Sequence, residues 1–204
     1  MTSSKQKAYD CIKSMIVSCQ IKPGEAISEA ELIKQLEIGR TPIREALLLL
    51  ESEDYVKIFP KRGIFVNEIS VQDINDTFGM LFILEPIAAV AAVKNIEKEK
   101  LLYFLKIFED PDTSYYQQNY LEVDRNFHST INSSTGNKIM YDTLMSLYDH
   151  NTRVRLSKYV NQSRMFATRG EHAEILRAML EEDEEKVREL MIRHITNGRK
   201  AALS

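Results

Sequence analysis

The chain of 204 residues has no tryptophan, two cysteines, five prolines, seven glycines and four histidines. Each scarcity excludes something. Cys11 and Cys19 fall on one predicted helix. At 1.5 Å per residue they stand ~12 Å apart, beyond the reach of a disulfide, which fits a reducing cytoplasm. Low glycine and proline, with no repeat and no low-complexity segment, exclude a fibrous or linker-like chain. No run approaches the ~20 continuous apolar residues of a membrane span. The opening Lys5-Gln6-Lys7 is not followed by the apolar core of a secretory signal. An excess of one charge is also missing: the net charge is −3. Residues 1–69 hold ten Lys/Arg against ten Asp/Glu, and the remainder holds 17 against 20. No part is basic overall, so a contact with nucleic acid must come from a local cluster, and the rest of the chain must serve another task.

Such a cluster is present. Ala8, Ile12, Met15, Ile16 and Cys19 form a helical stripe over 5–20, and Pro23-Gly24 makes a turn. Ser28 with Glu31 is a capping box, followed by Leu32, Ile33 and Leu36 as the inward face of a second helix. Gly39 closes a three-residue turn before a third helix over 40–53. There Gly-Arg-Thr-Pro-Ile-Arg-Glu-Ala-Leu (39–47) puts Arg40 and Arg44 on one face, with Ile43, Ala46, Leu47 and Leu50 as an apolar stripe behind them. Thr41 is expected to cap this helix and Pro42 to fill its first position. Two β-rich runs, Tyr55–Phe59 and Gly63–Ile69, joined by Pro60-Lys61-Arg62, predict a hairpin with a basic tip. The order predicts a winged helix-turn-helix DNA-binding domain over 1–69, its third helix entering a major groove by the N-terminus. The plainer alternative is that Arg40 and Arg44 are solvated or paired with Glu37 or Glu45, and that the hairpin tip is an ordinary polar turn.

From Ser70 and Asp73, another capping pair, no strand is predicted. Six helices are expected, at 71–94, 97–109, 114–134, 137–160, 165–182 and 184–201, with a kink or break near Glu85 because of Pro86. Four polar residues fall on apolar faces. Asp124 and His128 lie in the series Asp124, Phe127, His128, Ile131; His172 precedes Ile175, Leu176 and Met179; His194 lies with Val187, Leu190, Met191 and Ile195. Burying them unpaired is costly. Either each is a core residue bonded to a neighbour, or the four share a divalent metal. Asp124 and His128, one turn apart, could grip one ion, and N/O donors suit zinc, nickel, manganese or iron. His150 fits its helix's stripe less well and reads as a surface or pocket-edge residue.

Residues 22–66, from Lys-Pro-Gly-Glu-Ala-Ile-Ser-Glu-Ala-Glu-Leu through Thr-Pro-Ile-Arg-Glu-Ala-Leu to Arg-Gly-Ile-Phe-Val, resemble the DNA-binding domain of the GntR superfamily. The second part resembles the all-helical FCD effector domain of the FadR-like branch, through Asp-x-x-x-His at 124–128 and Glu-His-Ala-Glu-Ile-Leu-Arg-Ala-Met through Arg-His-Ile at 171–195. Six helices resemble the shorter, VanR-like subgroup. The resemblance implies a mainly helical, dimeric bacterial regulator: a winged helix-turn-helix over 1–69 and an FCD-type effector and dimerisation domain over 70–204. It implies a metal on Asp124, His128, His172 and His194, zinc first among the candidates, with a small carboxylate effector completing its coordination. Arg40, Thr41 and Arg44 match groove- and phosphate-contacting positions, and Arg62 and Gly63 match the wing tip, where Lys61 adds a further expected phosphate contact. Three departures stand out. Gly39 replaces a frequent small polar residue, Ala30 replaces an arginine found in some members, and Leu81 stands where many FCD domains carry an arginine four residues before the match of Glu85.

The expected function is a metabolite-responsive transcription regulator on a pseudo-palindromic double-stranded operator, not an enzyme. One alternative is the same regulator with a purely structural metal or none. Another is an Asp/His metal-dependent hydrolase, against which stand the lack of a general base beside the site and the uselessness of a DNA reader in hydrolysis.

Overall fold

The computed structural model describes residues 3–157 and 162–204. Among them are nine helices and one three-stranded sheet: α1 Ser4–Val17, β1 Ala26–Ile27, α2 Glu29–Leu36, α3 Arg40–Ser52, β2 Val56–Phe59, β3 Gly63–Val66, α4 Val71–Ala92, α5 Lys98–Glu109, α6 Ser114–Ser133, α7 Lys138–Ser157, α8 Gln162–Leu180 and α9 Glu184–Leu203. The expected mainly helical class, with a winged N-terminal part and a helical C-terminal part, is what the chain forms. Two compact units result, Met1–Ser70 with Thr152–Ser157, and Val71–Asn151 with Lys158–Ser204.

In the first unit α1, α2 and α3 close over Ile12, Ile16, Leu32, Ile43, Ala46, Leu47 and Leu50, all buried. Helix α1 stops at Val17, short of the expected residue 20, and Cys19 adopts φ 53°, outside the helix. Both cysteines are free thiols. Ser28 Oγ accepts from Glu31 N–H at the start of α2, and Glu37 ends that helix in the left-handed conformation. The start of α3 corrects one expectation. Gly39, not Thr41, is the N-cap, since its carbonyl accepts the first helical bond from Ile43 N–H at 3.3 Å. Pro42 is thus the third helical residue, tolerated because the first-turn N–H groups have no intrahelical acceptor anyway. The hairpin pairs β2 with β3 antiparallel, Phe59 opposite Gly63. At its tip Arg62 N–H donates to Phe59 O, and Lys61 takes φ 65°. The two-residue β1, too short to leave a periodic pattern, adds to the far edge of β3.

The end of α7 belongs to this unit. Arg153, 3 % exposed, lies over the Tyr55 ring at 5.4 Å and donates to the Asn67 carbonyl at 2.8 Å. Asn67 is held twice more, by its N–H on Tyr55 O and its Nδ2 on Asp54 O.

The second unit is helical, as expected. Helix α4 runs on through Pro86, so of the kink or break expected near Glu85 a break does not occur. The carbonyl that loses its donor belongs to Phe82. The interruption falls instead in α6, where Asn119 leaves helical geometry (φ −118°, ψ 18°) and its Nδ2 takes the Tyr115 carbonyl at 2.9 Å. By length and composition α4 is apolar enough to cross a membrane, yet Ile74, Phe78, Leu81 and Ala88 are buried in the unit. Helix α9 passes α4 closely: a Cβ on Gly198 would meet Phe78 at 3.1 Å, so a larger residue there would push the ring. An aromatic group of Phe104, Phe108, Tyr116 and Phe127 in edge contacts forms the floor beneath the histidines. The expected end of α7 at 160 lies outside the described residues, and α8 begins before the expected 165.

Candidate functional site

The first candidate site is the N-terminal end of α3 with the hairpin tip. Burial of Ile43, Ala46 and Leu47 turns the opposite face of α3 outward, so Arg40, Thr41 and Arg44 are exposed. At the tip, Lys61, Arg62 and Gly63 are exposed as well. The arginine pair finds a partner that spacing along α3 did not suggest. Glu29, in the first turn of α2, holds Arg44 Nε at 3.0 Å from each carboxylate oxygen and lies 3.8 Å from Arg40 Nε. Of the partners named from the sequence, Glu45 lies in α3 itself and Glu37 caps the end of α2; the actual partner opens α2.

The second candidate site lies inside the helical unit. His128 and Asp124 come from α6, His172 from α8 and His194 from α9, all buried. The three imidazoles offer ligand atoms within 4.8 Å of one another. His172 Nε2 stands 3.4 Å from His194 Nε2, and Asp124 Oδ1 stands 3.9 Å from His172 Nε2. Asp124 is therefore at the edge of the trio, not within it.

The outer nitrogens of His194 and His128 are tied. Glu171 Oε2 accepts from His194 Nδ1 at 2.7 Å. A carboxylate can only accept, so Nδ1 carries the proton and Nε2 presents its lone pair to the centre. Glu85 Oε2 lies 3.3 Å from His128 Nδ1, and the Tyr148 hydroxyl lies 2.6 Å from the same nitrogen. Asn132 Nδ2 donates to the other Glu85 oxygen at 3.0 Å. Burial opposes a charge on Glu85, yet His128, Tyr148 and Asn132 outweigh it and keep its pKa below the ordinary value. Glu171 behaves alike: burial works to raise it, while His194, Arg164 and Asn197 bring it down to about 2. Burial, with the charges of His128 and Arg164, lowers the pKa of His194, which favours the neutral ring.

A divalent ion fits this donor set. Two nitrogens each ~2.1 Å from one tetrahedral ion are ~3.4 Å apart, the separation His172 and His194 show. The carboxylates of Asp124, Glu85 and Glu171 outnumber the one guanidinium among them, Arg164, which grips Glu171 with both terminal nitrogens at 2.7 and 2.9 Å. With neutral imidazoles the group carries two surplus negative charges, which a dication offsets.

Glu85, Glu171, Tyr148 and Arg164 were not read from the sequence as site residues. Two had a signal. Glu85 is the one charged residue in the apolar run from Phe78 to Val93, and Arg164, Thr168 and Glu171 share one helix face. Leu81, at the position of the absent arginine, is fully buried, and Arg164 is the cation that borders the site instead. His150 is half-buried, in line with its reading as an edge residue.

Comparison with known proteins gives two family matches. Residues 4–66 match the family described as bacterial regulatory proteins, gntR family, and residues 76–197 match the FCD domain. The chain is 23% identical over 193 residues to the HTH-type transcriptional regulator YdhC of Bacillus subtilis, covering 93% of this chain and 86% of that protein. It is 25% identical to the HTH-type transcriptional repressor RspR of Escherichia coli, covering 93% of this chain and 85% of that one. In structure it is similar to E. coli McbR/YncC (TM-score 0.85, 20% identity, 100% and 98% of the two chains) and to a GntR regulator of Rhodococcus sp. RHA1 (TM-score 0.78, 20% identity, 99% and 98%). A winged helix-turn-helix followed by an FCD domain places the chain in the GntR family of transcription regulators, DNA-binding proteins with an effector-binding domain.

Proposed function

We propose that this regulator senses a small carboxylate at a metal centre in its helical domain and answers by changing its affinity for a pseudo-palindromic operator. The observation that carries the sensing half is the pair of facing Nε2 atoms 3.4 Å apart, one of them held as a lone pair by Glu171 from behind. His128, His172 and His194 hold the ion and Asp124 joins from the edge. Zinc is favoured among zinc, nickel, manganese and iron, since three nitrogen donors and one oxygen donor suit an ion that prefers four ligands and can expand to five to admit an effector oxygen. Bound there, the ion supplies a Lewis-acidic position for an effector carboxylate. No catalytic residue is proposed.

In the DNA-reading half, Arg40 and Arg44 contact base edges, with guanine the natural partner of arginine, while Thr41, Lys61, Arg62 and Gly63 set position on phosphates. The effector shifts operator affinity only by as much as it prefers one conformation of the protein over the other. The domains are taken as 1–69 and 70–204, the protein acts as a homodimer in the bacterial cytoplasm, and the six helices of the second domain favour the VanR-like subgroup.

Elemental mass spectrometry on the tag-free protein tests the metal, with His194→Ala alongside. Near-stoichiometric metal that disappears in the variant is expected. No metal in either sample after reconstitution would overturn the metal centre: a proton on His172 would then bridge the two imidazoles, and the DNA-reading assignment would stand untouched.

A further inference from the structure

We propose that Glu29 is a positioning residue for sequence readout: it clamps the Nε edge of Arg44 so that the two terminal nitrogens project toward DNA in a fixed plane. The proposal rests on the assignment of Arg44 as a base-reading residue. Glu29 comes from a different helix than the arginines it holds. It is the first residue of α2, where the helix dipole favours a carboxylate, and its side chain is 22% exposed. Arg44 remains 58% exposed and Arg40 71% exposed, so neither is buried by the contact.

The geometry explains why this is more than a surface ion pair. A guanidinium has five N–H donors in one plane, and the Nη1 and Nη2 pair matches the O6 and N7 acceptors of guanine. Glu29 takes Nε with both oxygens at 3.0 Å and so occupies the edge that a free arginine would otherwise be able to turn toward a phosphate. An unclamped arginine loses rotamer freedom on meeting a base, and prior clamping lowers that cost for the specific complex alone. A carboxylate beside the DNA backbone also repels phosphate, which weakens sequence-independent attraction. Both effects push in one direction: Glu29 gives up general affinity and raises the ratio of specific to non-specific binding.

The test needs a defined DNA probe. A randomised duplex library selected on the full-length wild type supplies the preferred sequence, and poly(dI-dC) serves as the non-specific competitor. At fixed salt, Glu29→Gln is expected to lower the specific-to-non-specific affinity ratio by about 5-fold or more, the equivalent of weakening one base contact, while non-specific affinity holds or rises. Glu29→Asp, which keeps the charge and loses the reach, should lower the ratio as well. In the Arg44→Ala background either change should lower the ratio by clearly less, because the residue the clamp acts through is gone. Thermal melting of each variant separates this from a folding defect. An unchanged ratio, an equal rise in both affinities, or a ratio that falls equally with and without Arg44 would overturn the role of Glu29. If Arg44→Ala itself binds the selected sequence like wild type, or selection yields no preferred sequence, the base-reading assignment falls and the positioning role falls with it.

Discussion

His194 has two ring nitrogens with different tasks, and Glu171 divides them. The carboxylate takes the Nδ1 proton at 2.7 Å, and the same carboxylate is steadied by Arg164 and Asn197. Partners of this kind raise ligand basicity and fix ring orientation, and losing one typically costs a metal site ~10–100-fold in affinity. Glu171→Gln is therefore expected to weaken metal binding by about that factor in a chelator-competition titration, with the metal-free fold retained. Unchanged metal affinity would mean that the surrounding helices alone orient the ring. The histidines themselves were legible in the sequence because each shares a 3.6-residue apolar period with core residues such as Phe127, Ile175 and Leu190. Their supports were less so. Glu85 lies 43 residues from His128, and Glu171 lies 23 from His194. Helical periodicity reports which way a side chain faces and is silent on which other helix it meets.

Among the elements, α3 is the most exposed to a small change at its start. Gly39 caps it without a side-chain bond. A Cβ there would meet only Pro42 Cδ, at 4.0 Å, so a serine fits. Gly39→Ser should stabilise the protein against urea by a few tenths of a kcal/mol, the usual margin of serine over glycine at an N-cap. Destabilisation would show that the hydroxyl cannot reach the first-turn N–H groups. Elements with a strong period, α1, α2, α5, α6 and α9, were read to within a few residues. Those decided by other physics were not. Two residues of β1 have no period to detect, and Pro86 removes one helical bond without ending α4. The non-helical turn at Asn119 arises from a side chain competing for a backbone carbonyl.

For the whole molecule, the outer face of α4 is the feature in search of a partner. Met80, Phe82, Ile83 and Ile87 are 43–56% exposed on a helix that is apolar nearly all round. Surface helices ordinarily carry one apolar stripe, not two. A second copy of the chain is the proposed occupant, since the proposed pseudo-palindromic operator would require two-fold symmetry. Ile83→Glu should shift the protein from dimer to monomer in light scattering and weaken operator binding in parallel. A variant that stays dimeric would place the interface elsewhere.

The unit that reads DNA is not one continuous stretch of chain. Its Tyr55 ring and Asn67 carbonyl are covered by Arg153, which the ribosome adds 86 residues after Asn67. During synthesis the winged part therefore emerges before its last contact exists, and it is completed only once α7 has been made. The same holds for anyone borrowing it: residues 1–70 grafted onto a foreign sensor would arrive without the arginine that covers them.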